Sequence, residues 1–195
     1  NEAGLLSELT RDEEAEKQYA RAIQLQGGME PCFRSHFSLA NHYLKKSIRN
    51  FDPNQPGPSL DALELAADQV ETAVRKMHRV TPDFHVPRVA IHQNLGIARE
   101  GAGDREGALQ AYDFTTTLYN GHSANYLAGV LIGKQAVEAW FKRRPSEALT
   151  LFLQAKQRIL KAGDALPPGV TISQRAEFLA YLDDSIQYLK VAKVE

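Results

Sequence analysis

The chain has 195 residues, of which 43% are hydrophobic and 24% are charged, and its formal net charge is −1. This composition is ordinary for a folded protein and lacks the global basic field that would recruit nucleic acid or an acidic membrane. No run of about 18 apolar residues is present, so no membrane span is predicted. The single cysteine, Cys32, excludes an internal disulfide and fits a reducing compartment. It favours the cytoplasm, although periplasmic proteins without disulfides share this feature.

The hydrophobic pattern predicts helices from one end of the chain to the other, an all-α fold. A Pro-rich segment, residues 47–59, interrupts the pattern and is predicted to be an inserted loop, since three prolines within six residues cannot continue a helix. His85 closely precedes Pro87 and is also predicted to lie in a loop. The predicted helices lie near residues 2–9, 12–26, 32–48, 59–79, 87–101, 104–119, 123–142, 145–162 and 172–192.

Four of the predicted helices share one spacing of small and large side chains. A small residue is followed four positions later by an aromatic or apolar residue, and then three positions later by a second small residue. Steps of four and three place all three side chains on one helical face, where the small ones allow a neighbouring helix to approach closely. These triads are Ala15/Tyr19/Ala22, Ala66/Val70/Ala73, Ala108/Tyr112/Thr115 and Ala148/Phe152/Ala155.

A further small residue, outside the triad, precedes three of these triads at a constant distance. Ala3, Gly96 and Ala136 each stand 12 positions before the first alanine of a triad. The stretch 89–122 carries this whole pattern within 34 residues, and it resembles one unit of the tetratricopeptide-repeat (TPR) family. The other units depart from that length, because the first alanines of successive triads are separated by 51, 42 and 40 residues.

The resemblance to TPR proteins implies a right-handed superhelical solenoid of antiparallel helix hairpins, formed as a single domain over residues 1–195. The amphipathic helix predicted at 172–192 is expected to cap the last hydrophobic face. In the repeat register Asn1 falls inside a first helix, so the chain is predicted to be part of a longer protein. A first hairpin without a cap would expose apolar surface, and a homo-oligomer is therefore one alternative arrangement.

The family resemblance also implies a function, namely a scaffold that binds a peptide segment or helix of a partner protein. First helices of TPR hairpins line a concave groove, and amide and apolar side chains there suit peptide recognition. The alternative is an auxiliary domain of a larger enzyme or membrane-associated assembly. The groove residues implied by the register are Arg34, Phe37, Asn41, Gln93, Asn94 and Lys134.

A narrower version of this function is capture of a partner's C-terminal carboxylate, as some TPR domains do for chaperones. Arg34, Asn94 and Lys134 match that clamp in residue type. Ser38 and Val130 depart from it, since the clamp has an Asn and a basic residue there. The departures weaken this interpretation relative to a groove of different specificity.

Catalytic and metal chemistry find little support in the sequence. The six histidines include no HExxH pair and no Cys/His cluster, so neither a metal nor a cofactor is predicted, and the chain is not predicted to be an enzyme. His92 is expected to pack between helices. The adjacent Trp140 and Phe141 must face different directions on a helix. Either one packs inside and the other is exposed as a candidate anchor for a partner, or both belong to the core.

Overall fold

A computed structural model of the protein describes residues 11–26, 32–52, 55–77, 79–119 and 121–192. Within these ranges the fold is all-α, with eight α-helices, one short 3-10 helix and no strand. The helix predicted near residues 2–9 lies outside the described residues. The helices are α1 (Asp12–Gln26), α2 (Cys32–Arg49), α3 (Gly57–Arg75), α4 (Pro82–Gly101), α5 (Arg105–Thr116), α6 (Ala124–Phe141), α7 (Pro145–Ala162) and α8 (Ile172–Ala192), with the 3-10 segment Gly121–Ser123 before α6.

Several predicted boundaries were wrong. The Pro-rich loop is shorter than 47–59, because α2 continues to Arg49 and α3 already starts at Gly57. Helix α3 ends at Arg75 rather than near residue 79, and α5 ends at Thr116 rather than near 119. The predicted last helix at 172–192 is confirmed, as α8.

Helix α4 starts five residues earlier than predicted, and His85 therefore lies in the helix rather than in a loop. Thr81 is extended, and Pro82 occupies the first helical position, where an N–H would have no intrahelical partner. Pro87 lies inside α4, where it removes a single hydrogen bond in the second turn. The sequence contained both prolines, but only the first of them begins the helix.

The described residues form two compact units, one ending at Asp104 and the other beginning at Arg105. In the first unit, α3 runs antiparallel to both α2 and α4. Near the start of α2, His36 Nδ1 lies 2.8 Å from the side-chain oxygen of Gln69 late in α3. At the other end, the Ser59 hydroxyl of α3 donates to the Ser47 carbonyl at 3.1 Å. Helices α2 and α4 are consequently parallel to each other.

The second unit repeats this alternation. Arg158, late in α7, donates to the Asn125 side chain at the start of α6 at 3.3 Å, so these two helices are antiparallel. Arg175, at the start of α8, donates to the Ile159 carbonyl near the end of α7 at 3.5 Å. Helices α6 and α8 therefore run in the same direction, with α7 between them in sequence. That residues 1–195 form one domain stays a prediction.

The triads form the interior of both units, as the sequence predicted. Of their twelve members, all but Ala22 are buried. The small residues have the expected effect on packing: a Cβ placed on Gly129 of α6 would lie 3.1 Å from the Ala155 carbonyl oxygen of α7. Close approach of the helix backbones thus depends on small side chains at specific positions. No helix in the described part of the chain is both long and apolar enough to cross a membrane.

Candidate functional site

Three of the predicted groove residues lie on one face of α2. Arg34, Phe37 and Asn41 follow steps of three and four residues, which is the period of one helical face. Arg34 is exposed, and its guanidinium lies 5.8 Å from the ring centre of Phe33. Phe37 is half-buried because its ring packs against Phe84 of α4, with 4.2 Å between centroids. Asn41 is half-buried one turn further on.

Asn94 of α4 lines a cavity of about 200 Å³ in the first unit. Leu63 of α3 and Ala98 of α4 are buried and line its interior, and its exposed apolar lining comes from three residues: Ile48 at the end of α2, Phe51 in the following loop and Ile97 on α4. All three are substantially exposed, Phe51 at 60% and Ile97 at 43%. The cavity is therefore an open apolar pocket with one amide in its lining, and Gln93 lies half-buried beside it in sequence.

The inserted loop holds Phe51 at this cavity because both of its ends are anchored. Ser47, buried in the last turn of α2, accepts the hydrogen bond from Ser59 of α3 through its backbone carbonyl, which ties the two ends of the loop together. Pro56 and Pro58 then flank the start of α3, where a proline costs little. The prolines predicted this inserted loop from the sequence, but they did not identify Phe51 or Ile48 as pocket residues.

Lys134 lies on α6 in the second unit, where it is exposed. It therefore belongs to a different unit from the other five predicted residues. Within the first unit, the structure brings Asn94 together with Ile48 and Phe51, whereas the Phe37 ring is engaged with Phe84.

An ionic cluster fixes α4 against α3 close to Asn94. Glu71 of α3 accepts two hydrogen bonds from Arg88, at 2.5 and 2.7 Å, and its carboxylate lies 2.9 Å from His92 Nε2. Burial by itself would raise the pKa of Glu71, but the hydrogen bonds from His92 and Arg88 and the charge of Arg88 outweigh it and lower the pKa to about 2. His92 is buried between the helices, as expected from the sequence, and this cluster orients the segment that carries Gln93 and Asn94.

A second cluster, around His42, joins α1 to α2 beside Asn41. His42 is buried, and its Nε2 lies 3.8 Å from the Asp12 carboxylate and 3.6 Å from that of Glu16. Burial lowers the pKa of His42, although both carboxylates act to raise it. Lys46 pairs with Glu16 at 2.7 Å, so this cluster holds two helices together and contributes no group to the cavity.

The cavity has the chemistry of a binding site. Its described lining contains no titratable side chain, and the hydroxyl groups of Ser47 and Ser59 donate to backbone carbonyls. What remains is an amide that can both donate and accept, beside an apolar surface, which suits a peptide backbone and one apolar side chain. Among the described residues, no three His, Cys, Asp or Glu side chains are grouped as metal ligands.

The chain shows no sequence similarity that assigns it to a family. A scan against models of known protein families finds no match, and a search of curated proteins finds no significantly similar sequence. The cavity and the helix faces around it are therefore the observations from which a function is inferred.

Proposed function

We propose that the chain is a protein-interaction scaffold built from TPR-type helical hairpins, and that its first unit binds a peptide segment or helix of a partner protein. Parallel α2 and α4 with an antiparallel α3 are what stacked hairpins require, which supports the repeat assignment. The buried triads support it as well, since they occupy the positions that the repeat register demands.

The observation that carries the proposal is the cavity that contains Asn94. Ile48 stands seven residues after Asn41, which is two turns further along the same face of α2. The face that begins at Arg34 therefore leads to the cavity. A peptide lying along this face would contact the guanidinium of Arg34 first and then the amide of Asn41. It would place one apolar side chain between Ile48, Phe51 and Ile97.

The size of the cavity favours a side chain over a free small molecule. Pockets that enclose drug-sized ligands or cofactors have volumes of roughly 300–1,000 Å³, whereas this one measures about 200 Å³. Burying one large apolar side chain contributes roughly 1.5–3 kcal/mol. The rest of the affinity must come from polar contacts along α2 and from Asn94.

Selection from a displayed library of random peptides tests this proposal even though the partner is unidentified. We expect the selected peptides to share one large apolar residue. Ile97→Asp should weaken their binding by about tenfold or more, because it puts a charge into the apolar pocket. Asn94→Ala should weaken binding by a smaller factor, on the order of one hydrogen bond or about 0.5–1.5 kcal/mol.

Leu65→Asp is the matched control. Leu65 lies on α3 in the same unit, is 46% exposed and does not line the cavity. The two aspartate variants therefore carry the same chemical change at comparably exposed leucine and isoleucine positions, and circular dichroism checks that both remain helical. If Ile97→Asp and Leu65→Asp bind the selected peptides equally well, the cavity is not the binding site. A library that yields no peptide would favour a role inside a larger assembly.

A further inference from the structure

A second cavity lies in the other unit, among α6, α7 and α8, and the proposed peptide site does not use it. It measures about 350 Å³, and its lining is predominantly aromatic. Phe152 of α7 is only 3% exposed and forms the floor, whereas Tyr181 and Tyr188 of α8 are 46% and 62% exposed. Trp140 and Phe141 line it from α6. Exposed aromatic rings around a buried one are thus gathered at a single place.

Helix periodicity explains why these rings meet. Tyr181, Asp184 and Tyr188 follow steps of three and four residues and share one face of α8. Trp140 lies in the last turn of the parallel helix α6 and stands edge-on to Tyr188, with 5.6 Å between ring centroids and 87° between planes. Tyr181 is set at 78° to Phe152, with 6.2 Å between centroids. Neither of these two pairs is stacked face to face, whereas Tyr181 also stacks on the neighbouring Phe178 of α8, with 6.2 Å between centroids and 13° between planes.

Asp184 is the one charged residue lining this cavity among the residues that the structure describes. The adjacent Asp183 forms an ion pair with Lys156 of α7. Asp184 forms no such pair within the described part of the chain. The two neighbouring carboxylates therefore differ in their surroundings. Asp183 joins α8 to α7, whereas Asp184 lines the aromatic cavity.

The lining of the aromatic cavity includes none of the three cations that follow Phe141 in sequence. Lys142 and Arg144 line a different cavity, together with Glu138 and Glu147. Arg144 pairs with Glu147 at 3.0 Å. Asp184 consequently sets the charge of the aromatic cavity, and a bound anion would meet both this carboxylate and the negative faces of the rings.

We propose that this cavity is a binding site for an organic cation, namely a small molecule that carries a quaternary ammonium group. The faces of Trp and Tyr rings attract such cations, and several rings around one space are the general means of recognising them. The carboxylate of Asp184 adds charge complementarity. The volume of about 350 Å³ falls within the range of small-ligand pockets, roughly 300–1,000 Å³.

The only tryptophan of the chain, Trp140, lines the cavity, so its fluorescence reports binding directly. Choline is the probe, and its neutral carbon analogue, with a tert-butyl group in place of the trimethylammonium group, is the ligand control. We expect choline to change the fluorescence of the full chain in a saturable way, and we expect the analogue to bind about tenfold more weakly. Tyr188→Leu should remove most of this preference, because it replaces a ring by an apolar side chain without a negative face.

Asp184→Asn and Asp183→Asn form a matched pair that changes one charge on adjacent surface positions. We expect Asp184→Asn to weaken choline binding several-fold and Asp183→Asn to leave it unchanged, with equal helicity in both. Equal binding of choline and its neutral analogue would overturn the proposal in favour of a plain apolar pocket. Absence of any response to choline would overturn it, as would a fluorescence change that depends on protein concentration, since a second copy would then cover the cavity. Tighter binding of a trimethyllysine peptide than of choline would overturn the small-molecule assignment.

Discussion

Glu71 shows how burial and pairing oppose each other at a single residue. Its carboxylate is removed from water between α3 and α4, yet Arg88 and His92 hold its pKa at about 2, below the usual value of 4.5. A carboxylate whose pKa is lower in the folded than in the unfolded protein stabilises the fold. This stabilisation is fully present at pH values above the pKa of the unfolded state. That stabilisation is lost as the pH falls through the folded-state pKa.

We predict that Glu71→Gln lowers the free energy of unfolding by about 1–3 kcal/mol at neutral pH, because it leaves Arg88 without its counter-charge. The difference from wild type should shrink as the pH falls from 4.5 to about 2, where the wild-type carboxylate also becomes neutral. Urea unfolding at a series of pH values measures both effects.

Glu64→Gln is the control for this prediction. Glu64 also pairs with an arginine of α4, Arg99, at 3.2 Å, but its side chain is 51% exposed. An exposed pair contributes at most about 1 kcal/mol, so this variant should change stability little at any pH. A Glu71→Gln effect that stays constant down to the lowest pH would show that packing, rather than ionisation, is lost.

At the scale of elements, Gly121 determines how the chain passes from α5 to α6. A Cβ at this position would lie 1.7 Å from the backbone oxygen of Thr115, and a backbone atom cannot move aside as a side chain can. The turn between the two helices therefore requires glycine for reasons of space.

We predict that Gly121→Ala lowers the free energy of unfolding by about 2–4 kcal/mol. The control is Gly101→Ala at the end of α4, where an added Cβ meets no atom within 4 Å and alanine is the better helix former. Gly101→Ala should be neutral or slightly stabilising in the same thermal or urea unfolding experiment. Equal effects of the two substitutions would mean that the turn rearranges to admit a side chain.

Most of the helices could be predicted from the sequence, because their packing uses local periodicity. Ala108, Tyr112 and Thr115 are spaced as the face of one helix, and all three are fully buried. The start of α4 was missed because either Pro82 or Pro87 could occupy the first turn of a helix. In the structure Pro82 begins α4, and Pro87 is tolerated inside its second turn. Local pattern alone does not decide between them.

The candidate sites were harder to predict, because each combines residues from elements distant in sequence. Asn94 was identified from the repeat register, but its neighbours Ile48 and Phe51 depend on the path of the inserted loop. Trp140 and Tyr188 are 48 residues apart and meet only because α6 and α8 are parallel. Their sequence signal was limited to one exposed aromatic at the end of α6. Phe141 is exposed at 79%, but Trp140 is exposed as well, at 36%, so the expectation that one of the two packs inside was wrong.

At the scale of the whole molecule, the second unit contains a hydrophobic core of its own. Ile132 of α6, Phe152 and Ile159 of α7, and Leu182 and Ile186 of α8 are buried together. The core draws on three helices, each of 18 or more residues. A closed core of this kind is the requirement for independent folding.

We predict that a fragment comprising residues 105–195 folds on its own and unfolds in one cooperative transition. Helicity from circular dichroism and the fluorescence of Trp140 should then give the same midpoint in urea, as two-state unfolding requires. A fragment without a cooperative transition would support the prediction from sequence that residues 1–195 are a single domain, whereas non-coincident curves would contradict two-state unfolding of this unit.

Helix α2 separates the residues that hold the fold from the residues of the proposed binding face. Cys32, Leu39, Ala40 and Tyr43 are buried, whereas Arg34 is exposed and Asn41 only half-buried. Substitutions at the two outward positions, and at Asn94 on α4, leave the interior unchanged. A combinatorial library at these three positions would thus test new ligand preferences while the fold stays the same. The chain is therefore suited to the engineering of new binding specificities.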